Sequence, residues 1–179
     1  MKRENAPGAR RHRFEALYLE CHGAVLGYVL RRTESSDDAA DVIAETFTTA
    51  WRRVDDIPPG DEARLWLYGV ARRTLANHRR SQRRRSSLAN RLRAELATHQ
   101  PPEYTGELAE VAAAFGRLPD GDREVLALEG WEGLDAAQIA AVLGCSRNAA
   151  RIRLHRARRR LAAELATNPE PALAKGDLR

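Results

Sequence analysis

Apolar residues recur three and four positions apart along most of the 179-residue chain, and no period-2 alternation of apolar and polar residues stands out. This helical period predicts an all-α protein. In the first half it predicts three helices: one that ends near Thr33, one that is capped by Ser36, and one that starts after Asp61. Their predicted inner faces are Phe14, Leu17, Tyr18, Cys21, Val25 and Val29; Ala40, Ile43, Phe47, Ala50, Trp51 and Val54; and Leu67, Val70, Ala71, Leu75 and His78.

A change in composition divides the chain into two small helical domains. Residues 98–106, THQPPEYTG, have the composition of a flexible linker. We therefore expect an N-terminal domain at 13–97 and a C-terminal domain at 107–165, with disordered ends at 1–12 and 166–179. The first helix of the C-terminal domain has a predicted apolar face of Leu108, Val111, Ala112, Phe115 and Leu118.

Residues 135–161 have the pattern of a helix-turn-helix. Asp135 and Gln138 fit a capping box, Gly144 suits a left-handed turn, and Ser146 can cap the second helix. Seven arginines and no acid follow Ser146 in the next fourteen residues. The second helix of such a motif enters the major groove of DNA. The alternative is a basic helix that only faces solvent. The predicted inner face of this helix is Ala150, Leu154, Ala157 and Leu161.

Charge is distributed in blocks. The net charge is +5 and the pI about 9.7, which favours a polyanionic partner only modestly. Residues 34–62 and 103–135 each contain nine acids and two arginines, whereas 72–93 contains nine arginines and no acid. The arginine-rich helix of the predicted helix-turn-helix comes last. Acidic and basic blocks that alternate in this way predict separate faces for different partners.

The third predicted helix places Trp66, Arg73, Asn77 and Arg80 along one side. Aromatic and guanidinium planes suit unstacked bases, and an amide suits a base edge. This side of the helix is therefore a candidate surface for nucleic acid. The alternative is that Trp66 belongs to the core and the arginines are solvated.

Other classes of protein find little support in the sequence. Two cysteines cannot form a disulfide framework, and the N-terminus lacks the apolar segment of a signal peptide. No run approaches the roughly 18 apolar residues of a membrane span, so we expect a cytoplasmic protein. Asp37, Asp41 and Glu45 form a carboxylate ridge that no histidine completes, and neither a glycine-rich phosphate loop nor a Ser-His-Asp order occurs. We expect no metal, no cofactor and no catalytic activity.

Four segments resemble bacterial RNA polymerase sigma factors. Residues 38–53, DAADVIAETFTTAWRR, resemble the helix that binds core polymerase, and residues 66–73, WLYGVARR, resemble the promoter-melting helix. Residues 118–128, LPDGDREVLAL, and 138–158 resemble the promoter-recognition domain. Their order and spacing, and the length of the chain, are similar to those of the extracytoplasmic-function (ECF) class of the sigma-70 family.

The resemblance implies a role for each of three sets of residues. It implies core-polymerase binding for Asp38, Asp41, Glu45, Phe47 and Trp51. It implies promoter melting, or contact with the proximal element, for Trp66, Arg72, Arg73, Asn77 and Arg80. It implies reading of the distal promoter element for Ser146, Arg147, Asn148, Arg151, Arg153 and Arg156. The partners would then be core RNA polymerase and promoter DNA, and the resemblance leaves open an anti-sigma protein as a third.

Two departures from the family limit what the resemblance implies. Asn148-Ala149-Ala150 stands where the family often has Gly-Thr-Val, and Arg73 and Asn77 stand where it often has Asn and Asp. The promoter sequence therefore does not follow from the resemblance. A stand-alone helix-turn-helix regulator and an RNA-binding module are the alternative functions. The first would need a dimerisation seam, which the sequence does not show, and the second would not need a major-groove helix.

Overall fold

The computed structural model describes residues 7–93 and 107–167, and the side chains of residues 8–82 and 108–167. Every regular element within those ranges is helical, as predicted. The linker at 98–106 lies outside the described residues, as do residues 1–6 and 168–179 of the predicted disordered ends. The helices are α1 Pro7–Leu30, α2 Ser36–Arg52, α3 Asp61–Arg93, α4 Glu107–Arg117, α5 Asp120–Gly130, α6 Ala136–Leu143 and α7 Arg147–Ala166, with a 3-10 turn at Val54–Asp56.

The chain forms two compact units, of which the first contains α1, α2 and α3 and the second contains α4, α5 and α7. In the first unit α1, α2 and α3 pack against one another in all three pairs. Its core is mainly apolar: Val25, Tyr28 and Leu67 are fully buried, and the rings of Tyr28 and Tyr68 lie 5.0 Å apart.

α1 begins at Pro7, six residues before the predicted boundary, so residues 7–12 are helical and not disordered. Proline suits the first helical position because its missing N–H has no partner to lose there. Two arginines hold this first part of α1. Arg13 donates to the carbonyl of Ile57 at 2.6 Å, and Arg10 lies 3.4 Å from the carboxylate of Asp55. These contacts join residues far apart in sequence, which is why the polar pattern did not predict them.

The buried stripe of α2 differs from the predicted one. Ala39, Val42 and Thr46 are buried, whereas Ala40 is exposed and Ile43 half-buried. Thr46 can enter the core because its hydroxyl donates to the carbonyl of Val42 at 2.7 Å within the helix. The sequence interpretation left Thr46 off the inner face and placed Ala40 and Ile43 there in place of Ala39 and Val42. Phe47, Ala50 and Val54 are buried as predicted.

The start of α2 differs by one residue as well. Ser35, and not Ser36, is the N-cap, since its hydroxyl accepts from the backbone N–H of Asp38 at 3.1 Å.

In the second unit α7 packs against both α4 and α5, and the core includes Val125, Leu128, Leu154 and Ala157. The predicted face of α4 is only partly correct. Leu118 is buried as predicted. Ala114, which was not on the predicted face, is also buried, whereas Leu108 and Val111 are exposed.

The helix-turn-helix forms as the sequence predicted. Asp135 accepts from the backbone N–H of Ala137 and of Gln138 at 2.7 and 2.8 Å, and Gln138 accepts from the N–H of Asp135 at 2.9 Å. Gly144 takes a left-handed φ of 66°, which lets the chain reverse between α6 and α7. Ser146 then caps α7 by accepting from the N–H of Ala149 at 3.2 Å.

Candidate binding surfaces

The outward side of α2 is acidic. Asp41 and Glu45 lie one turn apart and are both exposed, whereas Phe47 is 6% exposed and belongs to the core. Trp51, predicted to back the helix, is 42% exposed. It lies at the edge of the buried stripe because that stripe follows Ala39 and not Ala40.

α1 adds an aromatic flank to this side of the unit. The ring of Trp51 packs edge-on against Phe14 with centroids 5.3 Å apart, and the guanidinium of Arg10 lies 5.6 Å from its centroid. Tyr18 packs on Phe47 at 4.8 Å and remains partly exposed. The sequence placed Phe14 and Tyr18 on an inner face and did not indicate that they extend the α2 surface outward.

Asp38 contributes differently from Asp41 and Glu45. Its carboxylate oxygen Oδ1 lies 2.8 Å from Nε2 of His78 and accepts from the amide of Gln82 at 2.8 Å, and both partners are on α3. The hydrogen bond with Ser35 and then those with His78 and Gln82 lower the pKa of Asp38. Asp38 thus joins α2 to α3 and is not free to bind a partner through that oxygen.

A groove of about 880 Å³ runs between α2 and α3 within the first unit. Asp41 and Glu45 line one side of it, and Arg73 and Asn77 line the other. Two sets of residues that the sequence assigned to different partners therefore meet in one groove.

The rest of the α3 surface is basic and partly ordered by its own contacts. Arg73, Asn77 and Arg80 are exposed, and Arg80 donates to the side-chain oxygen of Asn77. Trp66 is half-buried, with the guanidinium of Arg53 5.7 Å from its ring centroid. Trp66 is thus partly accessible, with an arginine beside its ring.

Arg72, which the sequence grouped with these residues, is only half-exposed. It does not share the fully open side of α3 on which Arg73 and Arg80 lie.

On α7 the predicted recognition residues form an exposed basic surface over the first three turns. Its exposed members are Arg147, Asn148, Arg151, Arg153 and Arg156, while Ser146 serves as the N-cap. The sequence interpretation did not include His155 or Ile152, which are exposed among them. A helical wheel could have found both, since neither lies in the buried stripe.

The arginines at the far end of α7 are not alike. Arg158 donates to Glu129 and Arg160 to Asp122, and both acids lie on α5. Arg159, between them, is exposed. Arg158 and Arg160 therefore already have partners within the protein, because acids 29 and 38 positions away in the chain lie beside them.

Across residues 7–93 and 107–167 no group of three His, Cys, Asp or Glu side chains is arranged to hold a metal ion. None of the helices described there is both long and apolar enough to cross a membrane.

Comparisons with known proteins match both units. The family model for sigma-70 region 2 matches residues 17–85, and that for sigma-70 region 4 matches residues 108–161. The chain is 33% identical to the RNA polymerase sigma factor CnrH of Cupriavidus metallidurans over 162 residues, 83% of this chain and 85% of CnrH. It is 35% identical to the ECF RNA polymerase sigma factor SigL of Mycobacterium tuberculosis over 153 residues, 82% and 85% of the two chains.

A solved structure of CnrH in complex with the cytosolic domain of CnrY superposes with a TM-score of 0.60 at 33% identity, covering 87% of this chain and 88% of that one. A match to region 4 alone would also suit the stand-alone regulator, whereas matches to regions 2 and 4 in order favour an initiation factor. The chain belongs to the extracytoplasmic-function class of the sigma-70 family of RNA polymerase sigma factors.

Proposed function

We propose that three surfaces of this sigma factor divide the work of initiation. The acidic and aromatic side of α2, with Asp41, Glu45 and Trp51, binds core RNA polymerase. The exposed side of α3, with Arg73, Asn77 and Arg80, holds bases of the opened promoter. The basic surface of α7 lies in the major groove of the distal promoter element.

The observation that carries this proposal is the groove between α2 and α3. It has exposed acids on one side and an arginine and an amide on the other, all within one three-helix unit. Because Asp38, His78 and Gln82 join the two helices, a polymerase bound to α2 would hold α3 in a fixed orientation. The first unit could then bind enzyme and DNA without a change of fold.

Electrostatics supports α3 and α7, rather than α2, as the helices that bind DNA. Arginine–phosphate contacts release counterions from DNA, which gives sequence-independent affinity that falls with salt. Base-edge contacts add the specificity. The carboxylates of Asp41 and Glu45 would repel the phosphates of DNA and attract a basic protein surface.

The family context supports two further proposals. The relatives are initiation factors, so we infer that this chain supplies binding and positioning, has no catalytic activity of its own and works where core polymerase is, in the cytoplasm. Since CnrH forms a complex with the cytosolic domain of CnrY, we infer that an anti-sigma protein also binds this chain.

The division of labour is tested by separating core binding from strand opening. Arg73→Ala with Asn77→Ala, both at exposed positions, should leave affinity for core polymerase unchanged. The same double variant should reduce the permanganate reactivity of promoter thymines, which reports unpaired bases. Arg11→Ala, at an exposed arginine of α1 paired with Glu15, is the control and should change neither. Full strand opening by the double variant would contradict the role of α3.

A further inference from the structure

Ile152 is an apolar residue on the outer surface of a basic helix. It is 46% exposed, whereas Leu154, two residues on, is 5% exposed and lies in the core. At 3.6 residues per turn, Ile152 lies about 200° round the helix from Ala150 and from Leu154. It therefore points away from the buried stripe of α7.

The neighbours of Ile152 on this outer surface are all polar or charged. Asn148 lies four residues before Ile152, His155 three residues after it and Arg159 seven residues after it. All three are exposed and share its face of the helix. No acid lies between Arg147 and Arg160. The outer side of α7 thus has one branched apolar group at its centre and donors around it.

The groups that the bases present in the major groove favour one base as the partner of Ile152. Thymine is the base that presents an apolar group there, its C5 methyl, while the other base edges present donors and acceptors. An isoleucine offers no hydrogen bond, so pressing it against a polar edge would leave that edge without a partner. Contact with a methyl group has no such penalty.

We propose that Ile152 is a specificity-determining residue that recognises the C5 methyl of one thymine in the distal promoter element. The proposal rests on the proposed function, in which α7 lies in the major groove. Arg147 and Arg151 on the flank remain available for guanine or phosphate.

The test removes only the methyl group. A distal element is first selected from randomised DNA with the holoenzyme, formed from the full chain and core polymerase. Each thymine of that element is then replaced in turn by deoxyuridine, which pairs identically but lacks the methyl. With the wild-type chain, one replacement should weaken binding about four-fold, the factor for one buried methyl group.

Ile152→Ser should bind thymine and deoxyuridine at that position equally, with its helicity by circular dichroism unchanged. Leu165→Ser is the matched control, since Leu165 is also an exposed apolar residue of α7, at 38%, but lies near its end. It should keep the four-fold difference.

Two results would overturn the proposal. One is a wild-type holoenzyme that selects a distal element yet binds every deoxyuridine version equally well. The other is an Ile152→Ser variant that keeps the wild-type difference. A holoenzyme that selects no distal element at all would overturn the proposed role of α7 as well, so the two failures are distinguishable.

Discussion

The carboxylate of Asp38 and the imidazole of His78 lie 2.8 Å apart and join the helix assigned to polymerase to the helix assigned to DNA. An ionised carboxylate only accepts, so the shared proton belongs to Nε2 of the histidine. Gln82 donates to the same oxygen from the next turn of α3. The contact stabilises the packing of α2 on α3, although the resemblance groups Asp38 with the residues that bind core polymerase.

Loss of this contact should destabilise the first unit in a pH-dependent way. Asp38→Asn should lower the free energy of unfolding by about 1 kcal/mol at neutral pH, since it removes hydrogen bonds to a charged group. Because the pKa of Asp38 is lowered in the folded protein, its contribution is complete above the ordinary aspartate pKa of about 3.9. It is lost as pH falls through the lower folded value.

Urea unfolding at a series of pH values measures this difference. Asp37→Asn is the control, because Asp37 is an exposed acid in the same first turn of α2 and shares its helix dipole. An Asp38→Asn variant no less stable than Asp37→Asn at neutral pH would show that the contact with α3 does not matter.

The acidic side of α2 should determine affinity for polymerase. Changing Asp41 and Glu45 together to Arg should weaken core binding on the order of tenfold, through like-charge repulsion with a basic partner surface. Both side chains are exposed, so helicity should not change.

The same charge change elsewhere is the control for that experiment. Glu20 and Glu34 are exposed acids outside α2, and their double change to Arg should leave core affinity near wild type. If both double variants bind core polymerase as tightly as the wild type, the docking surface lies elsewhere.

Arg151 and Arg159 should contribute to DNA binding in different ways. Arg151 is exposed in the second turn of α7, and a bidentate arginine–guanine contact discriminates by about 1–3 kcal/mol. Arg151→Ala should relax base preference at one distal position, whereas Arg159→Ala should weaken all sequences alike and reduce the salt slope by about 0.9. Binding to randomised distal elements at several salt concentrations measures both. Identical base-preference profiles for the wild type and Arg151→Ala would refute the predicted role of Arg151 in base recognition.

The neighbours of Arg159 provide an internal comparison. Arg158 and Arg160 are held by Glu129 and Asp122, so their change to Ala should alter the salt slope less than Arg159→Ala does. Arg160→Ala should instead lower stability by about 0.5 kcal/mol, since its partner Asp122 is only 15% exposed. A double-mutant cycle with Asp122→Ala measures the pairing. Equal salt slopes for all three alanine variants would mean that these ion pairs do not persist in solution.

What the sequence could predict depended on how local the cause was. The capping box at Asp135, the turn at Gly144 and the cap at Ser146 involve residues within three or four positions, and all three formed as predicted. Part of the face of α2 was misassigned because the hydrogen bond from the hydroxyl of Thr46 to the carbonyl of Val42 allows a polar residue to enter the core.

Contacts between distant residues lay beyond such local reasoning. The partners of Asp38, Arg158 and Arg160 are 29 to 44 positions away, so nothing in the local pattern distinguished these residues from Asp41 or Arg159. Ile152 is a different case. The helical period already places it off the inner face of Ala150, Leu154 and Ala157, but the sequence interpretation considered only polar and charged residues of this helix as contacts for DNA.

Run-off transcription with purified core RNA polymerase on a library of genomic templates tests the central claim most directly. We predict promoter-specific transcripts that require the added chain and that fall sharply when Asp41 and Glu45 are both changed to Arg. The account would be contradicted if core polymerase with the wild-type chain gave no transcripts beyond those of core polymerase alone.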